Sequence, residues 1–516
     1  MSYTTIHTKK NGARYMYKVE GYWDKEKKAP RNKQVCLGRI DDKTGEVIPS
    51  NRKERTAKRA AVAPEVTARS TVIGPSLLLD KVAGDTGLLA ALKKSLPGQF
   101  LRIIALAYFL VQKGLPLSRC DIWSASNRHP YVETITSQSV SELLRSVTES
   151  ERQMFFKTWM ARIPESENIF YDITSISSYS ELNEYIKCLH NRDDEKMPQI
   201  NLAMLFGQDS GLPLYYRRLP GSISDVSTLK TTVSSLDKIG QSKLTFVMDR
   251  GFYSESNVDA LFDARYSFLL AVPKRKWIEE LYDKYRDEIQ SHENVHKTGE
   301  HETLYMATYL HKWKDHRCYV HIYYNDVRAA EERSKFDGKL AAWRDELVSK
   351  SEKAENTAVY KKYFIVKDTP ARGRSVTFNE EAILKDRKKY AGFFCLMSSK
   401  KMDALAALEA YRRKEAVENS FDDLKNQLDM KRLRIQSSAA MDSRLFIQFI
   451  ALILLSQIRN IAKKNEALKH KTIREIMEAM ETVTEIIYSG KYGKIVTEID
   501  PLQRDIMEAF GVSIET

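Results

Sequence analysis

Between residues 167 and 274 the hydrophobic period of the chain changes from that of helices to that of strands, in a definite order. ENIFYDITSI (167–176), INLAMLFG (200–207) and LPLYYRRLPG (212–221) read as three strands, the last two joined by a turn at QDSG. DVSTLKTTVSSLDKIG (225–240) reads as a helix opened by an aspartate and closed by a glycine. KLTFVMD, the helix SESNVDALFDA and the strand YSFLLAVPK (266–274) follow. The order βββαβαβ predicts a mixed α/β sheet whose last strands run parallel through crossover helices.

Two of these strands carry a carboxylate. In IFYDITSI, alternation puts Phe170, Asp172 and Thr174 on one face and Ile169, Tyr171 and Ile173 on the other. A carboxylate in a core strand is costly unless it is paired, protonated or bound to a cation. Asp249 ends the strand FVMD, and Arg250 and Gly251 follow at once. One reading makes Asp249 a cap for the helix starting near Ser254; the other makes it an ion ligand at the sheet's edge. If the two strands are neighbours, both carboxylates can share a hard divalent cation such as Mg²⁺, which favours oxygen ligands and keeps positions open for phosphate and water.

A third candidate lies in EAYRRKEAVENSFDDLKNQLDMKRL. As a helix this puts Val417, Phe421, Leu424 and Leu428 in one apolar stripe that should pack on the sheet. Tyr411, Lys414, Glu418 and Lys425 fall in a neighbouring stripe. Glutamate there suits an ion, the lysines suit phosphate charge, and the tyrosine a phosphate or base. The same pattern also describes a solvated face on which Lys414 and Glu418 make a routine i,i+4 pair.

Charge distribution points outward, to a polyanion. The chain of 516 residues has a formal charge of +13, and residues 1–60 hold 16 Lys and Arg against 7 Asp and Glu. A basic end suggests nucleic acid, or else a solubilising tail. Residues 13–40 alternate like strands around a turn, with aromatics among the lysines, which suits a folded element gripping phosphates. The five cysteines are scattered without a CxxC, which predicts a reduced cytosolic protein. MSYTTIHTKKNGARY has no apolar stretch of the signal-peptide kind, and LFIQFIALILL (445–455) is far shorter than the roughly 20 residues of a membrane span. It reads as a core helix, and no membrane partner is expected.

Tyr411-x2-Lys414-x3-Glu418-x6-Lys425 resembles the Y-x2-R-x3-E-x6-K signature of DDE transposases of bacterial insertion sequences, the insertion-sequence-four superfamily. YDITS and VMDRGFYS resemble that family's blocks around its two catalytic aspartates, and GSISDVSTL its linking segment. The likeness extends to YWDKEKK…LGRIDDKTGE near the N-terminus. Lys414 stands where arginine is usual, giving a point charge in place of a bidentate fork.

The resemblance implies an RNase H-like catalytic domain in which Asp172, Asp249 and Glu418 hold two Mg²⁺ (or Mn²⁺) ions roughly 4 Å apart for in-line displacement at a phosphodiester. It implies cleavage at the element's ends, then 3′-hydroxyl strand transfer into target DNA, by a homodimer on terminal inverted repeats. Arg250, Tyr411, Lys414 and Lys425 carry over as DNA contacts, in a cytoplasmic, nucleoid-associated protein. On this basis the chain divides into a basic β-rich DNA-binding element (1–50), a linker (51–74) and a helical DNA-binding or dimerisation region (75–165). The catalytic core (166–274 and 389–465) is interrupted by an insertion (275–388) and followed by a helical end (466–516). Two other readings stay open: an RNase H-like nuclease that cuts without joining, and a transposase-derived DNA-binding regulator with silent catalysis.

Several further features are set aside. Six histidines and Cys318 cluster in 292–321, which raises zinc, but the spacing is not that of a finger and a basic DNA-facing surface is expected. Asp193, Asp194 and Glu195 lie in a polar loop, and Asp422 could stand in for Glu418. Trp277, Trp313 and Trp343 are assigned to packing, as are the short helices around SQSVSELLRSVTESERQMFFKTWM, which also fit a helix-turn-helix.

Overall fold

The computed structural model describes residues 2–24, 29–49, 67–164, 167–178, 199–221, 225–238, 244–299, 302–370, 373–413, 417, 421–428, 432–433, 437–489 and 493–514. These form two compact units, one of residues 1–69 and 486–495 and one of residues 70–485 and 496–516.

The smaller unit contains a four-stranded antiparallel sheet in chain order: β1 (Ser2–Thr8), β2 (Arg14–Asp24), β3 (Ala29–Ile40) and β4 (Val47–Pro49). This is the strand pair around a turn expected for residues 13–40, with a bulge at Met16/Tyr17. Tyr3, Tyr22 and Trp23 are exposed on it, while Val19 is fully buried.

After β5 (Ala68–Val72), the larger unit continues with helices α1 (Gly74–Asp85), α2 (Leu88–Ser95), α3 (Phe100–Lys113), α4 (Cys120–Ser126), α5 (Ser137–Ser146) and α6 (Glu149–Met160). Thr136 caps α5 and a Thr148–Glu151 capping box starts α6, so serine- and threonine-rich junctions break the helices where the sequence suggests. Helix α6 is a packing element: Phe155, Phe156 and Trp159 are buried, and Phe155 meets Phe446 edge to face at 5.1 Å.

The strands β6 (Asn168–Ser178), β7 (Gln199–Gly207) and β8 (Pro213–Pro220) form the expected meander. Gly211 makes the intervening turn possible, because its φ of +62° is one that glycine adopts without strain. Helix α7 (Asp225–Lys238) crosses to β9 (Thr245–Met248), and α8 (Glu255–Asp263) crosses to β10 (Ser267–Val272). Strand β9 is parallel to both β6 and β10. The order β8-β7-β6-β9-β10 therefore realises the βββαβαβ expectation, with the first strand in the middle.

Residues 275–388 divide their elements between two places. After α9 (Lys276–Ile289), the strands β11 (Val295–Lys297), β12 (Thr303–Trp313) and β13 (His316–Tyr324) join the main sheet. Then α10 (Asp326–Val348), α11 (Thr357–Tyr363), the hairpin β14 (Phe364–Thr369) with β15 (Gly373–Phe378), and α12 (Glu380–Lys389) gather around a small separate core that includes Leu340, Tyr360 and Ile383. Strand β16 (Phe393–Ser398) returns to the sheet between β13 and β10.

Helix α13 (Ala404–Arg412), the short β17 (Arg432–Leu433), α14 (Ser438–Lys464), α15 (Ile473–Met480), β18 (Thr484–Tyr488), β19 (Lys494–Val496) and α16 (Pro501–Phe510) complete the chain. α14 contains the apolar run 445–455. At 27 residues it is long and apolar enough to cross a membrane, but 78% of its apolar window is buried against the rest of the protein, as a core helix requires.

Candidate active site

The two strand aspartates come together. Strand β9 pairs with β6 from Asn168↔Thr245 to Tyr171↔Met248, so Asp172 and Asp249 follow at the next position of neighbouring strands. Adjacent strands lie roughly 5 Å apart. Beyond this point β9 stops, whereas β6 runs on to pair with β17 at Ser177 and Ser178. Among the described residues, no strand pairs with β6 on this edge between Asp172 and Ile176. This is the carboxyl end of parallel strands, where open α/β sheets bind ligands.

The far face of β6 is closed. Tyr171 is buried there, its hydroxyl bonded to Thr228 (2.9 Å) and within 3.2 Å of the Thr232 hydroxyl, both on α7, and its ring against Phe252. Alternation consequently turns Asp172 toward the other side, where Phe170, Val247, Asp249, Tyr411 and Val417 line a narrow crevice with it. Both carboxylates are half-buried.

Asp172 Oδ1 accepts the Ile173 N–H at 2.8 Å, and Asp249 Oδ1 accepts the Arg250 N–H at 2.6 Å. The latter bond opens a single 3₁₀ turn, Arg250–Phe252. The helix that follows is capped by Ser254, whose hydroxyl accepts the Asn257 N–H at 3.1 Å, so capping α8 is not the task of Asp249.

Helix α13 delivers a third group. The Tyr411 hydroxyl donates to Asp249 Oδ1 at 2.8 Å. Burial, followed by the neighbouring Asp249 charge, pushes that hydroxyl well above the usual phenol range, so it remains a donor. Gln208 Nε2 donates to the Ala410 carbonyl at 3.1 Å, which ties the end of α13 to the β7–β8 turn.

The apolar stripe expected beyond α13 is present: Val417, Leu424 and Leu428 are buried, and Phe421 packs edge to face on Phe206 of β7 at 5.7 Å. Its periodicity is not that of one regular α-helix. α13 ends at Arg412, and Asp423–Gln427 form a π-helical turn, which rotates Lys425 away from the phase of a 3.6-residue repeat. Asp423 is buried there, holding Arg459 of α14 through a 2.6 Å bond from Nη2 to Oδ1. It anchors this segment to the core, a role the sequence pattern did not indicate.

Asp172, Asp249 and Tyr411 are therefore brought together, and Arg250 is exposed beside Asp249. Lys425 is half-buried in the π turn. Glu418 and Lys414 lie outside the described residues, as do Asp193, Asp194, Glu195 and His301, although Val417, next to Glu418, lines the crevice.

Three of the described members of the histidine cluster make packing contacts. His311 stacks on Trp277 at 4.9 Å and His316 on Phe262 at 4.4 Å, while His321 is wholly buried between strands. Trp313 donates to Asp259 at 3.0 Å and Trp343 stacks on Tyr363 in the small core.

Among known proteins, a model of the transposase DDE domain family matches residues 167–454, more than half of the chain. A piggyBac transposase synaptic complex with hairpin DNA is a distant structural neighbour, with a TM-score of 0.32 and 10% identity over 84% of this chain and 70% of that one. No curated protein matches. The matched span begins one residue before β6 and includes Asp172, Asp249, Tyr411 and the buried Val417–Leu428 stripe, and the chain belongs to the transposase DDE domain family.

Proposed function

We propose that this DDE transposase serves a bacterial insertion sequence of the insertion-sequence-four type. It would cut DNA at terminal inverted repeats and join the freed 3′ hydroxyl to target DNA, in a cut-and-paste reaction carried out by a homodimer. The observation that carries this reading is the placement of Asp172 and Asp249 side by side on neighbouring parallel strands, where β9 ends, with Tyr411 bonded to Asp249.

The donor set fits a hard divalent cation, because among the described residues the polar side chains lining the crevice offer carboxylate and phenol oxygens. Asp172, Asp249 and Glu418 would hold Mg²⁺ or Mn²⁺; the bound pair supplies an activated oxygen nucleophile and neutralises charge on the scissile phosphate. Tyr411 fixes Asp249 Oδ1 by its hydrogen bond and, protonated, adds no charge of its own. Phe170, Val247 and Val417 wall the crevice with apolar surface, which strengthens every charge interaction inside it.

Arg250, Lys414 and Lys425 are assigned to phosphates on either side of the cleaved bond. The basic sheet of residues 1–50, with exposed Tyr22 and Trp23, is assigned to the element's end in a cytoplasmic, nucleoid-associated complex.

The test incubates the purified protein with Mg²⁺ and DNA carrying the inverted repeats that flank its gene. Joined products are expected. Nicked products alone would make it a nuclease, and binding without cleavage a regulator.

A further inference from the structure

The crevice opens into a longer groove in which one cation, Arg412, is already engaged by an acid of the protein itself. The groove is lined by Asp249, Arg250, Tyr411, Arg412, Phe394 and Arg328. A second hollow, with Glu302 and Asn325 on its wall, shares Arg328, Phe394 and Arg412 with the first, so the two are continuous.

Arg412 is the last residue of α13 and directly follows Tyr411. Its guanidinium grips Glu302 with both ends: Nη1 donates to Oε2 at 3.0 Å and Nη2 to Oε1 at 2.8 Å. Glu302 is aimed from its own side, since Thr298 Oγ1 donates to the same Oε2 at 2.9 Å. Arg412 holds the Glu302 carboxyl below the usual carboxylate range, so the acid is charged wherever DNA would be bound.

The two side chains are 43% and 40% exposed, and an ion pair that wet contributes little to folding. The two-pronged geometry is the one a guanidinium offers to phosphate. A carboxylate thus sits on a phosphate-type receptor one residue along the chain from Tyr411.

We propose that Arg412 binds a backbone phosphate of the DNA strand lying in this groove and that Glu302 competes with DNA for it. The proposal rests on the reading of the Asp172–Asp249 crevice as the site of cleavage. Glu302 acts as an internal phosphate mimic: it lowers affinity for DNA at large and yields only where the strand is seated at the crevice.

The experiment measures binding of a short fluorescent DNA duplex to the full chain, without divalent cation, across a salt series. Glu302→Gln should tighten binding about two- to fivefold, the scale of an exposed ion pair. Arg412→Gln should weaken it and lower the slope of log K against log salt by about 0.9. In the Arg412→Gln background, Glu302→Gln should add nothing.

Glu478→Gln removes the same charge from a pair with Arg474 on α15 and controls for net charge. Equal shifts for Glu302→Gln and Glu478→Gln, an unchanged slope in Arg412→Gln, or persistent tightening in the double variant would each overturn the proposal. Wild-type protein that cuts DNA while Glu302→Gln changes nothing refutes this inference alone. Wild-type protein that neither binds nor cuts DNA refutes the cleavage reading and the inference together.

Discussion

The Tyr411 hydroxyl and Asp249 Oδ1 lie 2.8 Å apart although 162 residues separate them in the chain. This one bond joins the helix end that precedes Glu418 to the strand end that carries the second aspartate. A hydrogen bond to a charged group contributes about 1.5–3 kcal/mol. Tyr411→Phe should therefore slow DNA cleavage about 10- to 100-fold if the bond is kept in the transition state. Because the wild-type phenol stays protonated, the ratio of rates should be constant through neutral and mildly alkaline pH. A cleavage pH series checks both points, and an unaltered rate would remove Tyr411 from the site.

Asp172 and Asp249 stand on neighbouring strands as two half-buried carboxylates. Like charges so placed repel each other. Asp172→Asn or Asp249→Asn keeps an oxygen for the backbone bond each makes, and removes one charge. In the absence of divalent cation, thermal melting should show a Tm equal to or above that of the wild type, while cleavage is lost. A lowered Tm in both variants would make the pair a structural feature.

The Asp423–Arg459 pair secures the π turn to α14, with Asp423 only 2% exposed. Gln427 Nε2 adds a 2.8 Å bond to the same carboxylate. Removing one partner of a buried pair costs about 3–5 kcal/mol. Asp423→Ala should approach that loss in urea unfolding, and Arg459→Met in the same chain should restore part of it. Restoration would identify the unpaired guanidinium as the cause; equal instability in the double variant would point to packing.

His321 couples stability to pH. Ser398 Oγ donates to the Lys400 carbonyl at 2.7 Å, so the imidazole must donate to Ser398 through Nε2 and accept from Thr308 at Nδ1, each at 2.9 Å. Burial lowers its pKa from 6.5 to about 4, so the folded protein favours the neutral ring. The unfolded chain then binds more protons between these values, and stability falls as pH drops through that window, by on the order of 3 kcal/mol. Urea midpoints at neutral and acid pH should show this fall, reduced in His321→Gln. Parallel falls in both proteins would exclude His321 as the source.

The order of strands and crossovers was legible because each segment has a local period and a local turn signal. Asp172 and Asp249 were legible as carboxylates interrupting apolar strands. The joining of β11–β13 to the main sheet was not, since which edges pair is settled by distant contacts that leave no mark on alternation. Phase was lost after Arg412 for a similar reason: the π turn at Asp423–Gln427 depends on burying Asp423 against Arg459, and a regular 3.6-residue repeat cannot anticipate it. The Tyr411–Asp249 bond and the Arg412–Glu302 pair likewise arise only when α13 is laid across the sheet. Glu288, Glu302 and Glu332 look alike in the sequence, and only the fold sets Glu302 against Arg412.

Asp172, Asp249 and Glu418 are proposed to hold divalent cations together. Electron paramagnetic resonance of Mn²⁺ titrated into the protein–DNA complex tests this most directly, by counting bound ions in the wild type and in Asp172→Asn, Asp249→Asn and Glu418→Gln. Tight Mn²⁺ is expected in the wild type and its loss in each variant, with DNA still bound. Undiminished Mn²⁺ binding in any of the three would contradict the proposal.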